Sequence, residues 1–200
     1  MEPFTTLTAV ALPLGIPNID TDQIIPARFL GRPRIEQVTA MFHDLRYDAG
    51  GKPRPDSILN DPAYAGAAIL VADENLGCGS SRESAVTVML DNGYRAFIAS
   101  SFGDIFYNNC LQNGALPIRL PGERVTQLRA LLHDNPGAEL SIDLPAQTVR
   151  GPDGKTDAFD IDSFRKECLV QGLDAINLTL SLEREIRQFE ERQRQEMPWL

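Results

Sequence analysis

Residues 68–120 read AILVADENLGCGSSRESAVTVMLDNGYRAFIASSFGDIFYNNCLQNGALPIRL, and the order of elements in this stretch decides the fold. Ala68-Ile69-Leu70-Val71-Ala72 is a short continuous apolar run, the pattern of a strand covered on both faces. A Gly/Ser loop follows from Asn75 to Ser81, then a helical segment to Asn92 that Gly93 closes. Tyr94 to Ala99 supplies the next strand, Asp104 to Asn113 a second helix with Gly114 past its end, and Ala115 to Leu120 a third strand. Strand, helix and strand repeated in this way call for parallel strands joined by right-handed crossovers, an α/β arrangement. Ligands in such sheets sit beyond the carboxyl ends of strands, where the Gly/Ser loop lies.

Upstream, Phe4 to about Gly66 is rich in Pro and Gly and shows few clear periods. Within it Arg46 to Asp61 (RYDAGGKPRPDSILND) reads as an exposed loop, long enough to be functional or mobile, and its Gly/Pro content leads to the expectation that it orders on meeting a partner. Downstream, Val125, Leu128, Leu131 and Leu132 form the apolar stripe of a helix. Glu139–Leu144, Ala146–Arg150 and Thr156–Ile161, with the turn Gly151-Pro152-Asp153-Gly154, predict a small β meander. Asp162 is placed to cap a helix over Ser163–Gln171, and a last helix is expected from about Thr179 to Gln195, with Leu178, Leu182, Ile186 and Phe189 in register. With 200 residues and no internal repeat, a single domain over 1–200 accounts for the chain.

Composition removes several classes of function. A net charge of −9 with no local run of Lys and Arg argues against nucleic acid. No apolar run approaches the roughly 18 residues of a membrane span, and Met1-Glu2-Pro3-Phe4 lacks the basic start of a signal peptide, so a cytoplasmic location is expected. The three cysteines, Cys78, Cys110 and Cys168, are far apart, and His43 and His133 have no ligand spacing, so neither a zinc site nor a cluster of this chain's own is expected.

Chemistry concentrates in Leu76-Gly77-Cys78-Gly79-Ser80-Ser81-Arg82-Glu83-Ser84. Two glycines free the backbone, and two hydroxyls and an arginine follow at a helix entrance, where free N–H groups and the dipole favour an anion. Arg82 adds a fork suited to carboxylate, and a serine so placed has its alkoxide stabilised. The same letters also spell a capping box, Ser80-x-x-Glu83, which would be purely structural. A dinucleotide fingerprint lacks its third glycine, there is no phosphate-binding Gly-Lys-Ser/Thr, and G-x-S-x-G is absent. In Asn18-Ile19-Asp20-Thr21-Asp22-Gln23, an extended backbone would point Asp20 and Asp22 to one side; an Asx turn leading into a short strand is the plainer reading.

Taken together, NIDTDQIIPARFL (18–30), ENLGCGSSRE (74–83), SFGDIFYNNCLQNGALPI (101–118) and FRKECLVQGLDAINLTL (164–180) resemble the isopropylmalate dehydratase small subunits, relatives of the aconitase C-terminal domain. The resemblance spans nearly the whole chain. It implies a swivelling β/β/α domain with a partly parallel sheet, crossover helices and a C-terminal helix, closing over a separate large subunit that binds a [4Fe–4S] cluster. It implies Ser80 as the base that removes the proton next to a carboxylate while iron takes the leaving hydroxyl, isomerising 2-isopropylmalate to 3-isopropylmalate in leucine biosynthesis. Arg82 and Ser81 would hold the substrate carboxylate and developing charge, with Gly79 beside them, and Asp22 would orient a neighbouring group. The chain departs from the family at Ser84, where His is usual, and in the Gly31–Glu36 loop, whose Arg34 is the candidate specificity contact. Those departures keep related dicarboxylates in view: citraconate/methylmalate, homoaconitate or dimethylmalate. A non-catalytic module that grips an anion or protein at the same helix end is the reading from another class.

Overall fold

Strand β1 (Thr6–Pro13) lies in the middle of the sheet, inside the stretch whose letters show no clear period. The computed structural model, which describes residues 1–197 and 199, places it in a seven-stranded sheet with β2 (Ile69–Val71), β3 (Ala96–Ala99), β4 (Leu116–Arg119), β5 (Glu139–Asp143), β6 (Thr148–Arg150) and β7 (Thr156–Ala158), in the order β4-β3-β2-β1-β5-β6-β7. Strands β1 to β4 are parallel, as the crossovers require, and β5 to β7 form an antiparallel meander. The length of β1 joins the two halves: Thr6–Val10 pair antiparallel with β5, and Ala11–Pro13 pair parallel with β2. The expectation of an irregular first stretch is therefore corrected. Thr and Ala at Thr6, Thr8, Ala9 and Ala11 blunt the contrast by which strands are recognised.

Short helices α1 (Thr21–Ile24), α2 (Arg34–Gln37) and α3 (His43–Arg46) follow β1. Crossover helices α4 (Glu83–Asp91) and α5 (Asp104–Gln112) link β2 to β3 and β3 to β4, and α6 (Gly122–Asp134) leads to β5. Alternation along the strands sorts side chains between two cores. Leu70, Phe97 and Ala99 meet Val86 and Met89 of α4 and Phe106 of α5, while Ile69, Val71 and Ile98 meet Val125, Leu128 and Leu132 of α6. Both faces are covered, which is why the parallel strands read as unbroken apolar runs. The meander is pinned to α6 by nearly buried Arg124, whose Nη1 and Nε donate to Asp153 Oδ2 at 2.9 Å and Asp157 Oδ2 at 2.7 Å.

Helix α7 (Ser163–Gln171) starts where Asp162 Oδ1 accepts from Arg165 N at 3.0 Å, the cap anticipated above. The single last helix expected from Thr179 to Gln195 is two helices, α8 (Ala175–Ser181) and α9 (Glu183–Glu196). Asp174 caps an earlier start, and Ser181 Oγ donates to Leu178 O at 2.6 Å while Leu182 N turns to Thr179 O, tightening and ending the turn between them. The 46–61 segment closes on itself: Asp48 Oδ1 accepts from Gly50 N and Lys52 N, and Asn60 Nδ2 donates to the carbonyls of Arg46 and Arg54. No helix among the described residues is long and apolar enough to cross a membrane.

Candidate active site

Three segments leave the carboxyl ends of β1, β2 and β3 and meet beyond the sheet. Residues 76–78 run as a pseudo-strand between the other two, with single parallel bridges Asp20↔Cys78 and Leu76↔Phe102. Gly77 N donates to Ile19 O at 2.7 Å and Thr21 N to Cys78 O at 3.0 Å on one side; Leu76 N donates to Ser101 O at 3.1 Å and Gly103 N to Leu76 O at 2.9 Å on the other. Gly77 is required twice over, because its φ is +75° and an added Cβ would stand 2.1 Å from Phe106 Cγ. Gly79, at φ +87°, turns the chain outward toward Ser80.

Ser80 and Ser81 are exposed at the rim, and Thr21, itself buried, donates its hydroxyl to the Ser80 carbonyl at 2.9 Å, fixing the backbone and leaving the side chain outside. Helix α4 begins at Glu83 with Arg82 in the capping position, extended, and with no side-chain cap. The capping-box reading of Ser80-x-x-Glu83 is therefore corrected: Glu83 Oε1 accepts from Asn113 Nδ2 at 3.1 Å instead of reaching back. The first turn of α4 has no side-chain cap and follows directly on the two serines, a setting for an anion.

Asp20 and Asp22 separate in role. Asp20 caps α1, its Oδ1 accepting from Gln23 N at 2.7 Å while Gln23 Oε1 accepts from Asp20 N at 3.1 Å. The extended, same-side arrangement of the two carboxylates is thereby overturned, as is the short strand expected after an Asx turn; a capping box begins a helix here. Asp22, in the first turn of α1 and half exposed, approaches Arg82, Oδ1 to Nη1 2.5 Å, and the guanidinium holds its carboxyl below the usual range. Arg82 is mostly covered, and its buried Nη1 has charge contact with Asp22 but no aligned hydrogen bond.

Of the residues singled out in the sequence, Gly79, Ser80, Ser81, Arg82 and Asp22 are brought together. Arg34 is not: its Nε and Nη2 each donate to Asp91 at 2.8 Å, at the opposite end of α4, roughly 12 Å along the axis from its start. Three supports escaped the local pattern. Thr21 anchors Ser80; Ser101 Oγ accepts from Asn75 N at 2.8 Å; and Asn75 Nδ2 donates to Asn18 Oδ1 at 2.8 Å, both asparagines holding positive φ. All lie inside the stretches that carry the family resemblance, which was their only signal.

A partly parallel sheet whose carboxyl-edge loops gather serines and an arginine at an uncapped helix start places the chain in the aconitase C-terminal domain class, and the family model of that domain matches residues 1–123. Two further family models match the rest: LeuD_N over residues 126–163, and the C-terminal domain of the 3-isopropylmalate dehydratase small subunit over residues 176–200. Curated proteins named 3-isopropylmalate dehydratase small subunit are similar over the full length: that of Leptospira interrogans is 51% identical over 205 residues, covering 100% of this chain and 98% of its own. That of Parvibaculum lavamentivorans is 51% identical over 201 residues, with 100% of both chains covered. A crystal structure of 3-isopropylmalate dehydratase (leuD) from Methanocaldococcus jannaschii superposes with a TM-score of 0.66 at 26% identity, over 93% of this chain and 99% of that one. The chain belongs to the 3-isopropylmalate dehydratase small subunit family.

Proposed function

We infer that this chain works as the small subunit of a hydro-lyase that interconverts 2-isopropylmalate and 3-isopropylmalate in leucine biosynthesis, joined to a cluster-bearing large subunit as one of each or two of each. One observation carries the reading: exposed Ser80 and Ser81 stand beside Arg82 at the uncapped start of α4, in a chain about half identical, end to end, to relatives of that name. Among the described residues no group of three or more His, Cys, Asp or Glu is placed to hold a metal ion, a donor set that does not fit a cluster and supports the reading in which a large subunit carries the [4Fe–4S] cluster.

This chain's share of the chemistry is proton transfer and charge. Ser80 Oγ takes the proton from the carbon beside a substrate carboxylate and returns it at rehydration. An alkoxide is strongly basic, so it becomes accessible only where positive groups stabilise it, here the helix start and the Arg82 guanidinium. Ser81 and Arg82 hold the carboxylate, whose charge rises as the carbanion develops. Asp22 aims Arg82, and the guanidinium holds its carboxyl below its ordinary value, which extends its ionised range toward acid pH. Gly79 lets substrate approach the backbone, with no side chain in the way.

The test is anaerobic reconstitution with a cluster-bearing large subunit, following 3-isopropylmalate formation and profiling citraconate/methylmalate, homoaconitate and dimethylmalate beside it. Turnover of isopropylmalate ahead of the others is expected. An assembled, cluster-loaded complex that ignores isopropylmalate would sink the assignment.

A further inference from the structure

Arg129 lies on α6, across the sheet from α4, and touches none of the residues assigned to the reaction. Its guanidinium reaches the carboxyl edge and meets the roots of two site loops. Nη2 stands 2.7 Å from Asp73 Oδ2, with the two side chains only 16% and 30% exposed. Nη1 lies so close to Gly15 that a Cβ there would be 2.7 Å away. Asp73 is the first residue of the segment that carries Ser80, and its Oδ1 accepts from Glu74 N at 2.9 Å. Glu74 O in turn accepts from Asn18 N at 3.0 Å, in the segment that carries Asp22.

Arg129 Nε is buried and has no hydrogen-bond partner among the described residues. Leaving a charged donor unsatisfied is costly, so the side chain is not placed there for its own satisfaction. A surface ion pair would need none of this. The tie between Arg129, Asp73, Glu74 and Asn18 links the two loops whose relative height decides whether Arg82 can face Asp22.

We propose that Arg129 is a positioning residue: a strut through the sheet edge that sets the Ser80 loop against the Asp22 loop by holding Asp73 and abutting Gly15. It rests on the proposed function only for its kinetic consequence, so the first readout is independent of activity. In the lone chain, Arg129→Met should speed amide exchange at Gly77 and Thr21, the donors between the loops, by about 10-fold or more, leaving β3 and β4 unchanged. In the reconstituted complex, kcat should fall on the order of 10- to 100-fold with KM moved much less, since misplacement acts on attack geometry. Arg129→Lys, which keeps a cation near Asp73, should restore most of the exchange protection and rate. Asp73→Asn should reproduce the loss, and the double variant should be no worse than either single one. If Arg129→Met does not fold, Asp73→Asn carries the same expected losses, with Arg129→Lys as the near-wild-type comparison. Unchanged exchange at Gly77 and Thr21, or additive losses in the double variant, overturns the proposal. Altered exchange with an inactive wild-type complex would refute the assigned reaction and leave the strut standing.

Discussion

Two four-residue patterns in this chain look alike and end differently. Asp20-x-x-Gln23 closes into a reciprocal capping box and starts α1, whereas Ser80-x-x-Glu83 does not cap α4 at all. At the first, both side chains are spent on backbone N–H groups, and the helix start is satisfied from within. At the second, Gly79 has turned the chain outward, Thr21 holds the Ser80 carbonyl, and Glu83 is drawn to Asn113. The hydroxyls, and a helix start with no side-chain cap, are left to whatever arrives. A cap adds stability and occupies the dipole; an uncapped start gives up that stability and keeps a site for an anion.

The sharpest break between the two is Ser80→Ala. In a reconstituted complex it should lower kcat by about 10²–10⁴-fold, the contribution typical of a positioned base. The lone chain's urea midpoint should barely move, within roughly 0.5 kcal/mol, because an exposed serine that caps nothing supports nothing. A stability loss near 1 kcal/mol with turnover kept would return Ser80 to the capping role. Next in size is Arg82→Gln. It should cost about 10–100-fold in kcat/KM, as expected when a donor to developing charge is lost, and substrate analogues bearing one carboxylate fewer should lose less than the natural substrate.

Asp20→Ala tests the other pattern. It should cost about 1 kcal/mol of stability, readable as a shift in urea midpoint at constant m-value. Activity should fall less than with Ser80→Ala, since Asp20 reaches the chemistry only by holding α1 under Asp22. A neutral Asp20→Ala would remove the contrast between the two helix starts.

How far this could be read from the letters depends on how local each feature is. From Ala68 to Leu120, apolar runs of strand length alternate with helical stretches ended by Gly93 and Gly114, and the parallel half of the sheet follows from them. Strand β1 is missed because Thr and Ala fill alternate positions, and its partners lie some sixty and one hundred thirty residues away in sequence, as Ala11↔Ile69 and Thr8↔Ser141 illustrate. The site fails local reading for the same reason. The bridge between Asp20 and Cys78 and the ion pair between Asp22 and Arg82 are products of sheet closure, so only resemblance to known chains puts those segments side by side. Helix α9 is marked by its stripe, but the break at Leu182 turns on one serine hydroxyl bonding backwards.

The smallest effect concerns Asp22, and its sign can be worked out. Arg82 depresses its pKa below the ordinary 3.8, so the folded state binds this proton less readily than the unfolded chain does. Stability from the pair is therefore fully present above the unfolded value and lost as pH falls through the lower, folded one. The difference in urea midpoint between wild type and Asp22→Asn should stay constant from pH 8 to about 5 and close only in the acid range below that. Asp22 is half exposed, so the gap itself should be small and should narrow further with salt. A difference that closes near neutral pH would mean that Asp22 is not held ionised by Arg82. Then the arginine beside the uncapped helix would be free to swing, and the contrast with the sealed start at Asp20 would rest on Ser80 alone.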